Sequence, residues 1–216
     1  MTVPSSTEAT FDRLLQVAVE TFAEHGFRNT TIREICARAN VNIASVNYYF
    51  RSKEALYSQA LHFAFQEANR LHPQTATLNK DLSPELRLGL AIDNFLHKLL
   101  DDTQLGFHTR LIAREISDPT NALDEILPIA IIPQCRLLEE LIVEIAPVLQ
   151  DNKAVMARCM LSILGQCLVF KHSRSIIDRL YPELIENDAA IQQCVEHITQ
   201  FSLAAIAQFA KVDTKS

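Results

Sequence analysis

Tryptophan is absent from this 216-residue chain, and glycine occurs only four times. With so little glycine and only eight prolines, the chain is poor in the tight turns that a β-sandwich or barrel demands. No uninterrupted apolar run approaches the roughly 20 residues of a membrane span, and the opening MTVPSSTEATFDR has neither a basic leader nor an apolar core. A soluble, cytoplasmic protein with no membrane partner is expected. The five cysteines, Cys36, Cys135, Cys159, Cys167 and Cys194, are odd in number and include no C-x-x-C pair, so neither a disulfide framework nor a metal site is expected. They read as small buried hydrophobes. Also missing are a Gly-rich phosphate loop, H-E-x-x-H and G-x-S-x-G, so neither an enzyme nor a cofactor is expected.

What is present is a helical chain with an uneven charge. The formal net charge is −6, which argues against a nucleic-acid partner until it is divided along the chain. Residues 26–56 hold five cations (Arg28, Arg33, Arg38, Arg51, Lys53) against two anions (Glu34, Glu54), a local balance of +3. Residues 73–216 hold 13 cations against 19 anions, a balance of −6. One short segment is basic and the larger part is acidic.

Apolar residues at spacings of three and four (Phe11, Leu14, Leu15, Ala18, Phe22) predict a helix over about 7–25, stopped by Gly26. Thr31-x-x-Glu34 is a capping-box pattern that opens a short helix at 32–38, and Asn40 follows where a tight turn wants positive φ. Asn42 caps a third helix over 43–50. Ser52 caps a fourth that runs to about Leu71 before Pro73. Further helices are predicted near 84–101, 104–117, 121–146, 152–172, 174–180 and 188–210, with Pro128 and Pro133 kinking or splitting the 121–146 stretch. The fold class is all-α: an N-terminal helix-turn-helix domain (1–52) and a larger helical domain (53–216), linked by the helix over 53–71.

Two short helices joined by a tight turn form a helix-turn-helix. Stepping 100° per residue along the second puts Ile43, Val46 and Phe50 on one side and Ala44, Ser45, Tyr48 and Tyr49 on the other, with Asn47 at the edge. Two tyrosines can pack on a neighbouring helix. Small Ala44 and Ser45 beside them favour instead a surface that approaches something closely, and a major groove about 12 Å wide admits such a helix. Lys53, in the first turn of the next helix, suits a phosphate, as do Thr31 and Arg28.

The run F22-A-E-H-G-F-R-N-T-T-I-R-E-I-C-A-R-A-N-V-N-I-A-S-V-N-Y-Y-F-R-S-K-E-A-L-Y57 resembles the DNA-binding domain of TetR-family transcriptional regulators. The resemblance covers about the first quarter of the chain. It implies a homodimeric repressor on double-stranded DNA, with a larger domain that dimerises and binds an unknown small-molecule effector. It assigns Thr31 and Lys53 to phosphate and Asn42 to Tyr49 to the groove. Asn40, Ala44 and Asn47 depart from the family's commonest residues, so base preference does not carry over. The N-I-A-S-V-N-Y-Y-F version, with R114-E-I-S-D-P-T120 and L164-G-Q-C-L168, is similar to the CecR-type branch.

In the larger domain, Leu161, Leu164, Gly165 and Leu168, then Ile198, Phe201, Ser202, Ala205 and Phe209, form stripes at helical spacing. They are monomer core or a dimer interface, and the family's habit favours the interface. Phe107, His108, Arg110, Arg114, Gln166, Phe170 and His172 are polar or aromatic residues set in apolar helices and are candidate effector contacts. Arg114, beside Glu115, also reads as part of an ion pair. The alternatives are a helical protein-interaction module without DNA binding and, more remotely, an enzyme whose scattered Asp, Glu and His meet in space.

Overall fold

A computed structural model describes residues 6–101 and 105–213; within these, the side chains of 6–9, 45, 47, 105 and 213 lie outside the description. The described residues form helices α1 (Ser6–Asn29), α2 (Ile32–Ala39), α3 (Ile43–Phe50), α4 (Lys53–Leu71), α5 (Pro84–Leu100), α6 (Leu105–Ser117) and α7 (Ala122–Ile126). They continue with α8 (Ile132–Ile145), α9 (Lys153–His172), α10 (Arg174–Leu180) and α11 (Asp188–Asp213). No strand occurs among them. The all-α expectation is met.

Helix ends follow local chemistry. α1 breaks its helical geometry at Gly26 (φ 78°, ψ 167°), a backbone region open essentially to glycine alone. Thr31 caps α2, its hydroxyl accepting from the Glu34 N–H at 3.2 Å, and Asn40 takes the left-handed conformation (φ 52°, ψ 49°) that ends it. Ser83 caps α5 ahead of Pro84, and Asn152 caps α9. The stretch over 121–146, where Pro128 and Pro133 are expected to kink or split a helix, runs as α7, a π-helical turn and α8 in direct succession. Pro128 lies in a π-helical turn over Leu127–Ile131, and Pro133 follows it as the second residue of α8.

Packing separates the chain into two compact units. The first joins α1–α4, up to Leu71, with α6, α7 and the π-helical turn; the second joins α5 (within 72–101) with α8–α11. Helix α4 shares one core with α1–α3. That core holds Leu14, Phe22, Ile35, Val46, Phe50, Leu56, Tyr57, Leu61 and Leu111. The core of the second unit holds Leu88, Ile92, Leu96, Leu138, Ile142, Ile163, Cys167, Val195 and Ile198.

Four cysteines are buried and Cys135 is half-buried; all five are free thiols whose pKa is pushed up by burial, Cys167 to about 12. One described helix, α9, is long and apolar enough by length and composition to cross a membrane. Its inner face, with Cys159, Met160, Ile163 and Cys167, is nevertheless committed to the core of the second unit.

Candidate nucleic-acid interface

The second helix of the helix-turn-helix is anchored by a few residues. Val46 and Phe50 are buried, and Phe50 stacks on Phe11 of α1 at 5.3 Å between centroids. Ile43, expected inward, is 40% exposed, because Val41, just before the helix, packs against the adjoining core instead. Asn42 caps α3, its side-chain oxygen accepting from the Ala44 N–H at 3.0 Å. Asn42, Ala44 and Tyr48 are exposed, Tyr48 by 80%. The side chains of Ser45 and Asn47, two further groove candidates, lie outside the described residues.

Tyr49 departs from the wheel. It is half-buried and meets Phe11 edge-on at 5.4 Å while Tyr48 meets it from outside at 5.2 Å. One step of 100° from Phe50 leaves Tyr49 on the flank of the buried side, where α1 covers its ring. Tyr48 is therefore the aromatic turned outward, with Tyr49 bracing it.

The cations are more engaged than their sequence count suggests. Arg38 donates to Glu24 at 2.6 Å, and that bond holds the Glu24 pKa below the usual carboxylate range. Arg28, a phosphate candidate, is exposed but faces Asp118 at 3.6 Å. Lys53 is half-buried: its ammonium lies 4.4 Å from the centroid of the Phe27 ring and donates to the Arg28 carbonyl at 3.4 Å. Such seating fixes the stem and head of a lysine that otherwise loses rotamer entropy on binding. Arg51 closes α3 with φ 60°, a left-handed non-glycine residue that the sequence did not signal. Ser52 then caps α4 through the Ala55 N–H at 3.1 Å.

The effector candidates divide between the two units. Phe107, His108, Arg110 and Arg114 lie on α6 in the first; Gln166, Phe170 and His172 lie on α9 in the second. Phe107 packs on the first core under the Arg110 guanidinium, and His108 is buried beside Phe63. Arg114 is exposed and donates to the Glu24 carbonyl at 3.1 Å rather than pairing with Glu115. Gln166 donates to the Ser162 carbonyl, Phe170 packs on the second core and His172 is exposed. Sequence reasoning missed an apolar crevice between α5, α8 and α9, lined by Ile92, Phe95, Leu137, Ile163, Leu164 and Cys167. None of the seven candidates lines it, since its walls, apolar but for Gln74 and Gln134, leave little signal distinct from core.

Of the stripe residues, Leu161, Gly165, Phe201 and Phe209 are exposed, Leu161 by 61% and Phe201 by 58%. Leu164, Leu168 and Ala205 are half-buried, whereas Ile198 and Ser202 are already buried within the second unit.

A helix-turn-helix with one solvent-facing recognition side, joined to a helical domain, defines a class of DNA-binding transcriptional regulators. Residues 14–60 match the family model for bacterial regulatory proteins of the tetR family, and residues 84–206 match that for the C-terminal domain of the HTH-type transcriptional dual regulator CecR. The chain belongs to the TetR family of transcriptional regulators, in its CecR-like branch. The CecR dual regulator of Shigella flexneri is 34% identical over 121 residues (51% of this chain, 52% of that protein). A probable HTH-type regulator, YttP of Bacillus subtilis, is 28% identical over 120 residues (55% and 56%). The match thus spans about half the length of these relatives. The crystal structure of HlyIIR, a hemolysin II transcriptional regulator, shares 25% identity and a TM-score of 0.63 over 90% of this chain and 97% of its own. A putative regulator from Pseudomonas aeruginosa PAO1 shares the fold (TM-score 0.69, 17% identity, 95% and 96% covered). The matched family and these relatives are regulators of transcription, not enzymes.

Proposed function

We propose that the chain is a homodimeric, ligand-responsive transcriptional repressor, released from a palindromic operator by a small-molecule effector. Residues 1–52 read DNA, 53–216 dimerise and bind the effector, and the helix over 53–71 links the two tasks in a cytoplasmic protein. The observation that carries the reading is α3, which buries Val46 and Phe50 and leaves Tyr48 80% exposed, with Lys53 seated on Phe27 at the start of the next helix. Tyr48, Ala44 and the Asn42–Tyr49 stretch face bases, while Thr31, Lys53 and Arg28 hold phosphates.

Dimerisation draws support from the free apolar side of the second unit. Leu161, Val169, Phe201 and Phe209 are exposed, and a Cβ added at Gly165 meets nothing within 4 Å. Covering such a surface with its own copy gives a C₂ pair, which suits a palindrome with half-sites about 34–36 Å apart. The same cover accounts for the apolar outer face of α9. An effector releases DNA only insofar as it binds better to a conformer that fits DNA worse.

The test is fluorescence anisotropy with duplexes from the DNA flanking the protein's own gene. Binding that weakens steeply with salt, and a two-fold symmetric footprint, are expected. No binding to any fragment at low salt sinks the proposal.

A further inference from the structure

The segment Arg114–Thr120 is distinctive in sequence, yet DNA reading makes no direct use of it. It holds the most deeply buried carboxylate described in the first unit: Glu115 has no exposed surface. One of its oxygens accepts from the Tyr57 hydroxyl of α4 at 2.8 Å; the other accepts from the Thr120 N–H at 2.8 Å and the Thr120 hydroxyl at 3.0 Å. A buried acid with three donors aimed at it is costly to build and loses much if one donor goes, because a buried polar group without its partner keeps its full desolvation penalty. Burial first, then the bond to Glu115, raises the Tyr57 pKa, so its hydroxyl stays a donor throughout the neutral range.

From Tyr57 a continuous path of contacts leads to the DNA face. Its ring meets Phe22 edge-on at 4.8 Å and Phe27 at 4.9 Å. Phe27 carries the Lys53 ammonium on its other contact, and Lys53 also bonds the Arg28 carbonyl. The hydroxyl fixes the depth and tilt of the Tyr57 ring, the ring fixes Phe27, and Phe27 seats Lys53. From the same segment, Asp118 faces the Arg28 side chain.

We infer that Glu115 and Tyr57 are positioning residues for DNA binding: the Glu115–Tyr57 bond holds Phe27 where it seats Lys53 for a backbone phosphate. This rests on the DNA-binding reading above. Neither residue touches DNA.

The experiment uses the full chain and a random-sequence duplex long enough for two half-sites, since phosphate contacts do not depend on sequence. Tyr57→Phe removes only the hydroxyl, and Glu115→Gln keeps the shape while placing an amide N–H₂ against donors. Affinity is measured against salt well below the melting point of each variant, alone and with Lys53→Ala. Expected are a several-fold loss of affinity and a shallower salt dependence, by up to about 0.9 in slope for each variant if the Lys53 contact is lost. In the Lys53→Ala background Tyr57→Phe should add nothing further. A lower melting temperature with unchanged affinity and slope would make the bond purely structural and overturn the inference. An equal loss by Tyr57→Phe with and without Lys53 overturns the route through Phe27. Absence of binding by the unaltered protein fails the earlier reading itself.

Discussion

Single residues divide into those that touch DNA in the proposed complex and those that shape the surface. Lys53→Ala should weaken binding to specific and random duplexes alike and reduce the salt slope by roughly 0.9, whereas Tyr48→Ala should alter the ranking of sequences. Anisotropy titrations on an operator and a scrambled duplex separate the two; equal losses on both duplexes for both variants contradict that division. Gly26→Ala should cost about 1–3 kcal/mol in chemical denaturation, because φ 78°, ψ 167° excludes a side chain. The new Cβ would also lie 2.8 Å from Arg114 Nη1, although that flexible tip can withdraw. Several such positions are legible from sequence: Thr31, Asn40 and Asn42 act on backbone within a few residues of themselves. Arg28 is not, since its Asp118 neighbour lies some 90 positions along the chain.

Elements are held by contacts that local pattern only partly encodes. The wheel of α3 gets Val46 and Phe50 right, but Ile43 and Tyr49 exchange their expected settings because cover comes from Val41 and from Phe11 on α1. In the second unit, α5 and α8 are clamped by Arg87, which is 1% exposed, through Glu144; Lys80 bonds the same carboxylate from outside at 2.5 Å. Arg87 also donates to the Thr77 carbonyl at 2.8 Å. Glu144→Gln should therefore destabilise the fold by about 3 kcal/mol or somewhat less, since it strands a buried guanidinium while Glu144 keeps access to water. The Lys80 bond, then the Arg87 charge, lowers the Glu144 pKa from its ordinary 4.5. A depressed acid stabilises the fold above its unfolded value and loses that contribution as pH falls through the folded one. Thermal melts of the unaltered protein and Glu144→Gln should therefore differ most above the ordinary 4.5 of Glu144 and converge as pH falls through its lowered folded value. A gap that does not change with pH contradicts this assignment.

At the scale of the molecule, a net charge of −6 coexists with DNA binding because charge is segregated: the acidic majority repels the duplex, and the basic segment orients the approach. In the proposed dimer, Leu161→Glu with Phe201→Glu should give a monomer in sedimentation velocity. That monomer should bind a full operator far more weakly than the dimer but a single half-site about as well, because each recognition helix is intact and only the coupling between two half-sites is gone. A double variant that remains dimeric places the interface elsewhere.

The sequence by itself determined the elements, because capping, glycine and proline chemistry and apolar spacing are local and each helix states its own limits. It also determined the family, through a dense run of turn, core and surface residues in fixed register. Tertiary structure alone decided which unit α4 and α6 join, which of two adjacent tyrosines is covered, and which cations are already engaged. Those outcomes depend on neighbours brought from distant parts of the chain, as when Glu115 meets Tyr57 across 58 positions. No spacing rule within one helix can anticipate such a meeting.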